Sequence, residues 1–244
     1  MLSLRPLTEL FNLQSCEFMD KMPVVTKNLL AINVLAFFAM LAAAKNGIDL
    51  DSVLGLHFFM AEDFRLYQLV TYMFMHGGFA HLFFNMFALY MFGRALEYIW
   101  GSKRFLLFYL VSGIGAGLLQ ELVQYVEYET YLSAYQYVNL GYGDPVPMAD
   151  YLNMLRTVGA SGAIYAILLG FGLSFPNEKM FIFPLPIPIK AKYFVVGYAL
   201  IELALGFSGG SDGVAHFAHL GGMLFGLVLI LYWRKKGKIR GPYV

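Results

Sequence analysis

A chain of 244 residues that is 59% hydrophobic and only 14% charged is not an ordinary soluble domain, where about a quarter of the residues carry charge. Its net charge of +1 gives no case for nucleic-acid binding, and a single cysteine, Cys16, excludes an internal disulfide and a cysteine-based metal site. The composition fits one polytopic membrane domain.

Taken in order, the chain has no charged start, short apolar core and small-residue cleavage site of the kind that marks a signal peptide. Residues 1–26 read as a cytoplasmic or interfacial tail, 27–233 as a six-helix membrane domain and 234–244 as a basic cytoplasmic tail. Six apolar stretches, near 27–44, 79–99, 104–123, 157–174, 190–208 and 214–233, are of the length that crosses a bilayer. With the N-terminus inside, fourteen of the seventeen Lys and Arg residues fall on the inner side and only Lys45, Arg65 and Arg156 outside, which puts both termini in the cytoplasm.

The first outer loop, 45–78, is half apolar and suits a structure that dips into the membrane. The second, 124–156, holds seven tyrosines and is expected to lie on the outer surface. The third, 209–213, is short and glycine-rich, a flexible gate on this reading. The inner segment 175–189, with Pro176, Pro184, Pro186 and Pro188, reads as a stiff connector.

Ionisable and strongly polar groups are costly inside a membrane and draw attention to themselves. Ser161, in Gly159-Ala160-Ser161-Gly162-Ala163, lies four residues into the fourth stretch, about 6 Å below its outer edge by helical rise. His219 lies about 7.5 Å into the sixth, and His81 and Asn85 about 3 and 9 Å into the second. Three separate spans thus put polar groups into one outer layer. His81 and Asn85 are four apart and share a helix face, as do Ser161 and Tyr165. Ala218, Gly221, Gly222 and Gly226 give the sixth span a smooth face suited to the Gly-Ala face of the fourth.

Each feature has a plainer reading. The Gly-Ala-Ser run is also a helix-packing face, His219 also a hydrogen-bonded structural histidine, and His81 with Asn85 also a tie between helices. His216 and His219 are three apart, but no acidic residue adjoins them and no HExxH occurs, so no metal is expected. Glu202, about 9 Å into the fifth span, is expected either to hold water or to hydrogen-bond a neighbouring helix.

Three motifs together, His76-Gly-Gly-Phe-Ala-His81-Leu-Phe-Phe-Asn85, Gly159-Ala-Ser161-Gly162-Ala-Ile-Tyr165 and Ala218-His219-Leu-Gly-Gly222-Met-Leu-Phe-Gly226, resemble the rhomboid family of intramembrane serine proteases over 22–234. Phe64-Arg65 stands where many members have Trp-Arg. The resemblance implies an all-α, six-helix bundle in the plasma membrane, active towards the extracytoplasmic side, that cuts single-span membrane proteins within the lipid bilayer and needs no cofactor or metal. It implies Ser161 as nucleophile and His219 as general base, a dyad without an acidic third member. It implies Asn85, His81 and the Ser161 N–H as oxyanion donors, Tyr165 stacked on His219, and Gly159 leaving room for the substrate backbone. A catalytically inactive relative that binds or escorts membrane proteins is the alternative. A transporter would need polar groups along a whole path, and the inner half of the spans is almost wholly apolar.

Overall fold

A computed structural model describes residues 22–141, 143–182, 185–208 and 214–243. Most of the expected N-terminal tail and the glycine-rich loop 209–213 lie outside the described residues. Among the described residues, five helices are long and apolar enough to cross a membrane: α1 (Val24–Ala44), α2 (Phe79–Trp100), α3 (Ser102–Leu132), α5 (Ala191–Ser208) and α6 (His216–Lys235). A sixth, α4 (Ser161–Ser174), has 14 residues and is about 21 Å long by helical rise, short of a hydrocarbon core of about 30 Å. The protein is thus predominantly helical, as expected.

The span expected at 157–174 begins late because two local features break it. Arg156 and Thr157 form a strand, β4, paired antiparallel with β1 (Leu56–His57). Gly159 then takes φ +130°, a conformation open to glycine and hardly to other residues. Ser161 is therefore the first residue of α4 rather than four residues into a span, and the 6 Å depth read from its offset does not hold. Two further strand pairs depart from an all-helical fold. β2 (Tyr137–Val138) pairs with β3 (Val146–Pro147), and β5 (Lys179–Ile182) with β6 (Leu185–Lys190). The proline-rich connector is thus a hairpin.

Between lipid-soluble helices there is no hydrophobic drive to associate, so packing rests on close approach and polar ties. The small residues supply the approach. A Cβ on Gly222 would stand 1.9 Å from the Gly162 carbonyl oxygen, and one on Gly162 would stand 2.4 Å from the Ala116 Cβ of α3. Gly226 faces Ala166 of α4 and Phe108 of α3, while Gly221 faces Ala116 and Leu119 of α3. The smooth face of α6 is therefore shared between α4 and α3 rather than given to α4 alone. At the far end Trp100, Phe108 and Trp233 pack edge to face or tilted. Leu35, Phe38, Leu200 and Ile201 of α1 and α5 are exposed, as suits lipid-facing surface.

The 45–78 segment is built into the bundle. Leu56, Phe58, Tyr72, Met73 and Met75 are buried. The Tyr72 hydroxyl donates to the Gly113 carbonyl of α3 at 2.6 Å, and the Phe59 N–H donates to the Glu121 carboxylate at 2.7 Å. The tyrosine-rich segment is partly held by it. Tyr128 packs against Phe58 and Tyr125 against Phe59, whereas Tyr131, Tyr135 and Tyr137 are exposed.

Glu97, near the end of α2, is buried and ties down α1. Its carboxylate accepts from the Val25 and Thr26 N–H groups at 3.0 and 2.7 Å, from the Thr26 hydroxyl at 2.8 Å and from the Ser102 hydroxyl at 2.6 Å. First-turn N–H groups have no acceptor within their own helix, and the N-terminal end of a helix favours negative charge. Glu97→Ala should therefore lower stability by about 2–4 kcal/mol, since charge-assisted hydrogen bonds contribute about 1.5–3 kcal/mol each and are not additive. Unfolding in detergent measures it; a change under about 0.5 kcal/mol, the size of a neutral surface substitution, would reject Glu97 as an anchor.

Candidate active site

The polar groups singled out in the sequence converge at one end of the bundle. The 45–78 segment sets the approach to α4, where the Gly159 N–H donates to the Tyr72 carbonyl at 2.9 Å. One residue after Ala160, Ser161 starts the helix. Its Oγ lies 2.8 Å from His219 Nε2 of α6. One turn on, the Tyr165 ring lies parallel to the His219 ring, with centroids 4.2 Å apart and planes within 7°. The rhomboid resemblance implies this stacking, and the four-residue spacing puts Tyr165 on the face of Ser161.

The His81 ring stands over Gly159. A Cβ on Gly159 would lie 2.7 and 2.9 Å from His81 Cε1 and Nε2, and 3.5 Å from Ser161 Oγ. A side chain at Gly159 would therefore displace the His81 ring. Asn85 is buried, with one amide hydrogen given to the His81 carbonyl at 3.0 Å. Its NH2 carries a second. The edge of the His76 ring packs against His81, with centroids 5.1 Å apart. Burial and the neighbouring His81 hold the His76 pKa down to about 4, so at neutral pH His76 adds no charge. First-turn N–H groups at the start of α4 have no intrahelical acceptor, which makes the surroundings of Ser161 rich in donors.

An oxyanion needs such donors, and a serine hydroxyl needs a base within hydrogen-bond reach. Both are present within one cluster contributed by α2, α4 and α6. The family model described as Rhomboid domain matches residues 63–236. The chain belongs to the rhomboid family. It is a multi-pass helical membrane protein.

This rhomboid is 31% identical over 176 residues to "Rhomboid protease AarA" of Providencia stuartii, covering 69% of this chain and 56% of that one. It is 29% identical over 214 residues to "Putative rhomboid protease YdcA" of Bacillus subtilis, covering 87% and 89%. It is 28% identical over 221 residues to "Rhomboid protease GluP" of the same organism, covering 87% and 35%. The chain therefore spans about half the length of the first relative and about a third of the last.

One acidic group in this rhomboid stands closer to the site than the sequence suggested. Glu202 of α5 is buried. Its carboxylate accepts from the Tyr165 hydroxyl of α4 and lies 2.7 Å from His216 Nδ1 of α6, so the expected helix-to-helix tie is present. The same Oε2 lies 3.0 Å from His219 Nδ1, a close contact set off the hydrogen-bond direction. The expectation that no acid adjoins His219 came from distance along the chain, and the packing of α5 on α6 overrides it. Glu202, His216 and His219 also offer ligand atoms within 4.8 Å of one another.

Glu97 and Glu121 were passed over in the sequence. Each lies inside an apolar stretch, and a charge placed there was the available signal; both are buried in the structure.

Proposed function

We propose that this rhomboid is an intramembrane serine endopeptidase that hydrolyses a peptide bond in or near the transmembrane segment of single-span membrane proteins. The observation that carries this reading is the 2.8 Å contact between Ser161 Oγ and His219 Nε2. Family membership, with relatives named as proteases, supports it.

His219 takes the Ser161 proton at Nε2 as Oγ attacks the scissile carbonyl. The negative charge that develops on the carbonyl oxygen is held by the Ser161 N–H at the start of α4, by Asn85 and by His81. His219 then returns the proton to the leaving nitrogen, and water hydrolyses the acyl-enzyme by the same steps in reverse order. Tyr165 keeps the imidazole ring in its plane. The domain is a six-helix bundle of the plasma membrane over 27–233, with both termini cytoplasmic, no metal or cofactor, and the site towards the extracytoplasmic side. The excess of Lys and Arg in the segments at the opposite end supports that orientation.

Fluorophosphonate labelling of the purified protein tests the reading. The wild type should be labelled at Ser161 and Ser161→Ala should not be. A folded wild type that takes no label leaves the binding-only relative as the better account.

Asn85→Ala should lower kcat by about 10²–10³ with little change in KM, because the oxyanion exists only in the transition state. Kinetics on a transmembrane substrate in detergent check this. A change confined to KM would place Asn85 in substrate docking instead.

A further inference from the structure

We propose that Glu202 is a positioning residue for the reaction, standing behind His219 and supporting the Ser161–His219 pair from α5. This rests on the reading of Ser161 as nucleophile and His219 as base.

The tautomer of His219 decides which ring nitrogen can act as base. A neutral imidazole carries one N–H, and the ring nitrogen without hydrogen is the one that can accept a proton. For Nε2 to take the proton of Ser161, Nδ1 must hold the ring hydrogen. A negative carboxylate oxygen 3.0 Å from Nδ1 favours the form with hydrogen on Nδ1 over the alternative, in which an Nδ1 lone pair would stand beside that charge. It also stabilises the imidazolium formed once Nε2 is protonated, and more strongly in a buried setting than in water. Glu202 is buried, as is His219.

The carboxylate acts on His219 by a second route. It accepts from the hydroxyl of Tyr165, whose ring lies parallel to the imidazole at 4.2 Å. One side chain thus stands against the edge of the ring and anchors the group that covers its face. His216 Nδ1, at 2.7 Å from the same oxygen, helps hold the carboxylate in place. A purely structural tie between helices requires only the Tyr165 and His216 contacts, and does not account for the approach to His219 Nδ1. Along α5, Ala191, Val195 and Glu202 are the buried residues, while Val196, Leu200, Ile201, Leu203 and Leu205 are exposed. A charged group buried at the catalytic end of an otherwise lipid-facing helix is costly, and its contacts converge on the base.

The Ser161 hydroxyl proton moves to His219 Nε2 as Oγ bonds the carbonyl carbon and the C=O pair shifts to oxygen. Nδ1 keeps its proton, and Glu202 remains a carboxylate throughout. The Nε2 proton passes to the leaving nitrogen as the C–N bond breaks. Water repeats the sequence on the ester and frees Ser161.

The full chain, in detergent and in liposomes, is compared as wild type, Glu202→Gln and Glu202→Leu. Measured are kcat and KM on a transmembrane substrate, the rate of fluorophosphonate labelling, the thermal midpoint, and the nitrogen-15 shifts of His219. In the wild type Nδ1 should be the protonated nitrogen. Both variants should lower kcat and the labelling rate by about 10²-fold or more with KM within about two-fold, and Glu202→Gln should do so with an unchanged midpoint, because it retains hydrogen bonds to Tyr165 and His216. Wild-type activity in Glu202→Gln, or a wild-type His219 protonated at Nε2, overturns the proposal. So does loss of wild-type activity on adding a chelator, which would assign Glu202, His216 and His219 to a metal. An unlabelled wild type in which Nδ1 is still protonated against Glu202 fails the protease reading and not this contact.

Discussion

Ser161→Ala and His219→Ala are each expected to abolish cleavage of a transmembrane substrate while the protein still inserts and folds. Members of a nucleophile–base pair act as a unit, so each single variant should lose about 10⁴-fold or more in kcat/KM and the double variant should be no worse than either. Ser161→Ala is the cleaner arm. It removes one hydroxyl at the start of α4, hydrogen-bonded to His219 at 2.8 Å, and a neutral hydrogen bond contributes only about 0.5–1.5 kcal/mol to stability. His219→Ala also empties a ring-sized volume beside Tyr165, so its kinetics are read beside its thermal midpoint. Cleavage by Ser161→Ala at near the wild-type rate would remove serine catalysis from consideration.

Gly222→Ala should give the largest loss of stability among the glycine substitutions of α6. The new Cβ would stand 1.9 Å from the Gly162 carbonyl oxygen and 2.5 Å from its carbon. Both are backbone atoms, so no side chain can rotate away and the helices must separate. Overpacking of this kind costs about 1–3 kcal/mol, sometimes more. Gly162 follows Ser161 and Gly222 lies three residues after His219, so the same separation pulls the hydroxyl away from the imidazole. A displacement of about 1 Å can cost about 10² in rate, so activity should fall further than stability. Gly226→Ala meets the Ala166 Cβ at 2.9 Å and the Phe108 ring at 3.0 Å, which can shift, and should be milder. Gly197→Ala meets nothing within 4 Å and should change stability by no more than about 0.5 kcal/mol. Thermal unfolding and substrate cleavage of the three proteins decide it. If Gly222→Ala behaves like Gly197→Ala, close helix contact at Gly162 does not hold the site together.

What the sequence determined by itself was local or additive. Long apolar runs mark membrane helices because each residue adds its own transfer free energy, and among the described residues five of the six stretches are helices of spanning length. Four have both ends within a few residues of expectation, whereas the third runs to Leu132, into the segment expected as the second outer loop. The pairing of Tyr165 with Ser161 on one face follows from four-residue spacing, and it puts the tyrosine against the same histidine that the serine meets. Gly159 shows the limit of such reasoning. The resemblance implies a bare backbone there, but that the His81 ring is what a side chain at Gly159 would meet depends on the approach of α2.

The rest was decided by tertiary structure. Span four was read too long because the apolar signal cannot register a strand pairing formed with Leu56 and His57, a hundred residues away. Gly221 and Gly222 are chemically alike and adjacent, yet one faces α3 and the other α4, since a residue without a side chain says nothing of which neighbour approaches it. Glu97 anchors N–H groups of Val25 and Thr26, more than seventy residues upstream. Glu202 meets His219 only because α5 packs against α6. A buried charge announces from sequence that it must have partners; which partners it has is settled by the packing of helices, because backbone contacts between small residues, not the charge itself, set where each helix end lies.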